Sequence, residues 1–120
     1  MIEMIEGLPE GVIGAKAVGT VEPDDYDTVL IPAIAAATAG DAKARMLFVL
    51  GPDFDGYSAG AMLDDARMGF RHWADFERIA VVTDHEPYKA ALRAFGFLMP
   101  GEVRGFDVDQ LDDAKSWLAA

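Results

Sequence analysis

An α/β domain with a mostly parallel sheet is the fold class this sequence predicts, and three observations predict it. Short apolar stretches suited to strands alternate with segments whose apolar residues recur at three- and four-residue steps. Residues 46–50 and 79–82 are apolar at odd and even positions alike, as in strands covered on both faces. The 120 residues suffice for one core and not for two, so residues 1–120 form a single domain. After an initial hairpin, the alternation implies right-handed crossovers and therefore parallel neighbours.

The elements follow in chain order. Residues 2–6 and 12–18 read as two strands joined by GLPEG (7–11), a turn composition, which makes the first strand an antiparallel edge. A helix spans Asp24 to Thr38, with Tyr26, Val29, Leu30, Ala33, Ile34 and Ala37 along one face. Pro23 suits its first turn, Pro32 predicts a kink in its interior, and Gly40 closes it. A strand at 45–50 runs into the turn GPDFDG (51–56), and a second helix extends from Ser58 to Phe70. Ala59, Met62, Leu63, Ala66 and Phe70 form its inner stripe. A strand at 78–83 leads to a third helix, started by Asp84 as cap and Glu86 in the first turn and carried by Tyr88, Ala91, Leu92 and Phe95 to Gly96. A strand at 102–107 and a last helix, capped by Asp109, complete five strands and four helices.

Composition excludes several functions. With 21 acidic against 10 basic side chains, the net charge of −11 repels nucleic acid and anionic lipid surfaces. No apolar run approaches the roughly 20 residues of a membrane span. Cysteine is absent, which removes disulfides, thiolate metal sites and cysteine nucleophiles together. The acidic start MIEMIE lacks the basic region of a secretory signal, so the expected location is the cytoplasm. Helices crowding one sheet face would leave the other to be covered, for which a homodimer is the expected remedy.

Four segments carry a resemblance across essentially the whole chain: EGLPEGVIG (6–14), VLGPDFDGYSAGAM (49–62), RIAVVTDHE (78–86) and RAFGFLMPGEVR (93–104). Together with the element order they resemble the SpoIIAA-like bacterial proteins of the STAS and CRAL-TRIO-like fold group. The resemblance implies a βα superhelix and two kinds of activity. The anti-sigma-factor antagonists carry a phosphorylated serine where a helix opens after the central strand, and Ser58 stands at about that place. Their Asp-Ser-Ser-Gly pattern survives here only as fragments within DGYSAG (55–60). The CRAL-TRIO-like relatives hold lipids or other apolar molecules, and they are much longer.

Candidate sites collect where the strands deliver their C-terminal ends, the usual ligand side of an open α/β sheet. Ser58 suits capping of its own helix, anion binding at a helix N-terminus, or phosphorylation. Asp53, Asp55, Asp84, His85 and Glu86 lie on two neighbouring turns, an oxygen-rich set with one imidazole that would suit Mg²⁺ or Mn²⁺ over Zn²⁺. Each also has an ordinary turn or capping role, so no metal centre and no cofactor is expected. No nucleophile elbow, phosphate loop, dinucleotide fingerprint or paired-histidine metal motif is present, so no enzyme is predicted. The leading expectation is a non-enzymatic binding module for a small apolar or amphipathic, lipid-like molecule. Its head would lie near Gly56 and Ser58, and its tail among Phe54, Tyr57, Met62, Phe97 and Met99. The alternative is a STAS-type protein-interaction switch acting through Ser58 on a regulatory protein partner.

Overall fold

The computed structural model describes residues 1–9, 11–39, 43–58, 60, 75–95 and 101–120. Its main sheet has five strands: β1 (Ile2–Ile5), β2 (Val12–Ala17), β4 (Ala44–Leu50), β6 (Phe76–Thr83) and β7 (Glu102–Phe106), in that spatial order. β1 pairs antiparallel with β2, and every other neighbour is parallel. A second, two-stranded parallel sheet pairs β3 (Gly19–Val21) with β5 (Phe54–Tyr57). Helices among the described residues number three, not four: α1 (Pro23–Asp25, Tyr26–Leu30 and Ile31–Ala37 in succession), α2 (Glu86–Phe95) and α3 (Leu111–Ala119). Of the helix expected from Ser58 to Phe70, Gly60 is helical and residues 59 and 61–70 lie outside the described ones.

The central strand is covered on both faces, as its continuous apolar run requires. Met46, Phe48 and Leu50 join one core with Tyr26, Leu30 and Ile34 of α1. Leu47 and Val49 join another with Ala80, Val82, Phe106 and the α3 residues Ala114 and Leu118. The α1 stripe is the one the periodicity predicts: Tyr26, Leu30 and Ile34 are inaccessible to solvent, and Val29, Ala33 and Ala37 pack beside them.

Four local readings need correction. The irregularity expected at Pro32 is a π turn over Tyr26–Leu30, closed by the Ile31 N–H donating to the Tyr26 carbonyl. A proline ring clashes with the carbonyl four residues back, and a wider turn just before it relieves that contact. The last helix starts from Asp107, not Asp109: the Asp107 N–H donates to Gln110 Oε1 at 3.0 Å, half of a capping box that opens a 3₁₀ turn over Val108–Gln110. Asp84 does not cap its own helix; its Oδ1 accepts from the Val108 N–H at 3.1 Å and ties the β6–α2 loop to the β7–α3 loop. Finally, the segment expected as a turn at Phe54–Gly56 is part of strand β5.

Gly101, just ahead of β7, marks a close backbone approach. A Cβ there would fall 2.5 Å from the Phe76 carbonyl oxygen and 2.7 Å from that of Glu77. Those atoms belong to β6 and cannot rotate away. Gly101→Ala is therefore expected to cost about 1–3 kcal/mol by overpacking, read as a lower urea midpoint with an unchanged slope.

Candidate functional site

The C-terminal ends of β2, β4 and β6 run on into β3, β5 and the start of α2, and these segments hold the candidate residues that are described. After Leu50 the chain turns through Gly51, whose carbonyl accepts the Phe54 N–H at 3.1 Å, and enters β5. The Gly19 N–H donates to the Asp53 carbonyl at 2.6 Å and the Ser58 N–H to the Val21 carbonyl at 2.9 Å, so β3 grips both ends of this segment. Gly56 supplies a φ of +133° between them, a conformation a side chain would strain. Ser58 emerges half-buried at the end of β5, beside the start of α1. A Cβ on Gly60 would fall 2.8 Å from the Pro23 ring, so Gly60 lies in close contact with the start of α1.

Phe54 alternates inward from this strand and is buried, while Asp53 and Asp55 face solvent. Its ring meets His85 edge-on, with centroids 5.5 Å apart and planes at 90°, and Tyr88 at 5.6 Å. His85 and Tyr88 are themselves 5.9 Å apart at 80°. Two edge-to-face contacts and one tilted one are favourable for aromatic quadrupoles, and here they fasten the start of β5 to the start of α2. Beneath them the fully buried Thr83 accepts the His85 N–H at 3.1 Å through its hydroxyl, which fixes the backbone turn out of β6.

A polar network borders the rings. Lys89 on α2 donates to Asp107 Oδ1 and lies 3.9 Å from Glu86. The hydrogen bond from Asp107 holds the Lys89 ammonium above its ordinary pKa against the opposing cost of desolvation, with Asp107, Glu86 and Asp84 adding further attraction. Asp53 makes a 3.5 Å ion pair with Lys16. No group of three or more His, Asp or Glu gathers at metal-binding geometry among the described residues, so Asp53, Asp55, Asp84 and His85 do not assemble a cation site there.

Of the residues expected to hold an apolar ligand, those described lie along one continuous segment. Phe54 is packed against His85 and Tyr88, Gly56 belongs to β5, and Ser58 follows it. Met62, Phe97 and Met99 lie outside the described residues, as does the Tyr57 side chain. Two clefts are found elsewhere and contain none of these residues. One, of about 360 Å³, opens at the N-terminal ends of the strands among Pro9, Val12, Lys43, Arg45, Glu77 and Ala120. The other, of about 340 Å³, runs between α2 and β7 past Lys89, Leu92, Arg93, Val103, Gly105 and Asp107. No helix among the described residues is long and apolar enough to cross a membrane.

Sequence reasoning misses one arrangement at the opposite end of the sheet. Arg45 and Arg78 are direct cross-strand partners, a like-charged pair that would repel. They converge on the C-terminus of α3: Arg45 donates to the Leu118 and Ala120 backbone oxygens at 2.7 and 2.6 Å, and Arg78 to that of Trp117 at 2.6 Å. The orphan carbonyls and negative dipole end of the helix offset the repulsion. The Arg78 guanidinium also covers the Trp117 ring at 5.2 Å. These cations therefore serve the fold.

Comparison with known proteins agrees with this architecture. The structure is similar to an uncharacterized protein of the DUF3478 family with a SpoIIAA-like fold from Shewanella loihica PV-4, with a TM-score of 0.79 and 28% identity over 98% of this chain and 92% of that one. It is also similar in fold to the anti-sigma factor antagonist SpoIIAA in its unphosphorylated form, with a TM-score of 0.57 and 11% identity over 94% and 96% of the two chains. No curated protein matches the sequence. The SpoIIAA-like family profile matches residues 12–119, nearly the full chain, and this protein belongs to the SpoIIAA-like family.

Proposed function

We propose that this chain is a non-enzymatic protein-interaction module of the STAS type, whose docking surface is the C-terminal end of the sheet around Ser58, His85 and Tyr88. One observation carries the reading. Two segments distant in sequence, the start of β5 and the start of α2, are locked to each other through the Phe54, His85 and Tyr88 rings, which gives a preformed surface built of packed side chains. A preordered surface of this kind loses little entropy when a protein docks. Ser58 follows the other end of β5 from Phe54, with its backbone fixed to Val21 and its side chain half-buried, a place where added charge alters the surface without entering a core. The anti-sigma factor antagonist SpoIIAA, similar in fold, was solved in an unphosphorylated form, and a partner controlled by phosphorylation of Ser58 is the role carried over to this chain by the proposal. The apolar-ligand reading has no comparable support, because the described part of its lining is occupied by its own rings.

A phosphoryl group at Ser58 would bring about −1.5 to −2 charges next to the exposed Glu22, Asp24 and Asp55. A doubly charged, strongly hydrated group would have to be desolvated for an apolar contact to form over it, so modification should release a partner that docks there through apolar contacts. The test is affinity capture from the native host with wild-type protein and Ser58→Asp. A partner held by wild type and lost at least about tenfold by the variant, a change worth about 1.4 kcal/mol, with an unchanged melting temperature, supports the proposal. Identical retained proteins in equal amounts would sink it.

A further inference from the structure

We infer that β7 is the seam of a symmetric homodimer, in which two copies pair their edge strands antiparallel about Val103 and merge their sheets into one. β7 is the last strand of the five-stranded order and is bonded to β6 on one side. Among the described residues, no backbone hydrogen bond other than those to β6 reaches Glu102–Phe106. An edge of this kind is a template for another strand unless something blunts it.

The side chains on it do not blunt it against itself. Glu102 and Arg104 are both exposed and, two residues apart, share the sheet face that carries Phe106 and α3. Two like charges there would repel a second copy. Opposite charges do the reverse: a two-fold axis at Val103 sets Glu102 of each copy directly opposite Arg104 of the other, twice, on the same face. An axis at Arg104 would oppose arginine to arginine, so the register is specified by charge. Arg104 is ordered for this role, its guanidinium lying 5.3 Å from the Phe106 ring and 5.5 Å from that of Trp117. On the other face, Val103 meets Val103 of the second copy at the mouth of the α2–β7 groove, beside Leu92. Gly105, opposite Gly101 of the second copy in this register, leaves the ends of the pairing free of side chains.

The strands are five residues long, so the contact is small and the dimer weak. It is distinct from the surface proposed around Ser58, and either assignment can fail alone. The test is sedimentation equilibrium from micromolar to near-millimolar concentration on wild type, E102R, and the charge swap E102R/R104E. E102R leaves the Arg104 stacking in place but faces arginine with arginine. It is expected to raise the dissociation constant about tenfold or more by replacing two attractive pairs with two repulsive ones. The swap restores Glu–Arg pairing with the roles exchanged and should recover dimerisation. A wild-type monomer throughout the range, or a dimer indifferent to both changes, would overturn the inference. Melting curves of each variant separate loss of the seam from loss of the fold.

Discussion

Leu47→Ala will destabilise this protein by about 2–5 kcal/mol, toward the upper end of what one buried leucine is worth. The reason lies in its neighbours. Leu47 is fully buried on the face of the sheet that α3 covers. Its register partners on that face are Gly14 on β2 and Ala80 on β6. Gly14 cannot be enlarged to compensate, because a Cβ there would fall on the Leu8 side chain and 2.8 Å from the Ile5 Cβ. Small residues on both sides, with Ala114 and Leu118 above, leave Leu47 to fill the middle of a core of few large side chains. A cavity made there has little that can relax into it, and residual cavity volume is what sets the cost. For a chain of this size the loss should appear as a fall in melting temperature of about 8–20 °C. Leu47→Met, which conserves volume, should cost under about 1.5 kcal/mol. A loss below about 1 kcal/mol for the alanine variant would show that this face is not a packed core.

The two-sided burial behind this prediction is legible in the residues themselves. A strand that is apolar at every position has to be covered twice, and a helix with Tyr26, Leu30 and Ile34 in phase has to lie on it. What the sequence conceals has a common physical origin, because it depends on partners distant in the chain. β3 and β5 are three and four residues long, too short for period or propensity to register. They exist because each completes the other, and Pro52, Asp53 and Gly56 disguise the second as a turn. Asp84 looks like a helix cap locally, yet its partner is Val108, 24 residues on. Arg45 and Arg78 become intelligible only once α3 brings its carbonyls to them. Asp107 is different: its spacing to Gln110 is a legible capping-box signature, masked by Asp109, a residue of the same capping type two positions on. At the site itself, Phe54, His85 and Ser58 are each recognisable candidates from sequence. Their grouping is not, because Tyr88 reads in sequence as one more residue of an inner helical stripe.

The second large effect tests that grouping. Phe54→Ala should cost about 3–5 kcal/mol, as for other buried phenylalanines, and its consequence should spread to residues it adjoins only in space. Phe54 is 3% exposed and touches both His85 and Tyr88, so the ring is the bolt between the start of β5 and the entrance to α2. Thr83 still holds the His85 backbone when the ring is gone, and α2 keeps its own hydrogen bonds. The variant should therefore unfold earlier without losing its sheet. Hydrogen exchange of the native state should quicken both at 54–58 and at 84–89, two stretches separated by 25 residues of chain or more. Phe54→Leu preserves most of the buried volume but not the edge-to-face geometry, worth about 0.5–1.5 kcal/mol for an aromatic pair. It should retain the fold while loosening the second stretch. If exchange at 84–89 stays at the wild-type rate in both variants, the two segments move independently. A protein partner would then have to order them as it binds, and the surface around Ser58 and His85 would not be the preformed one proposed here.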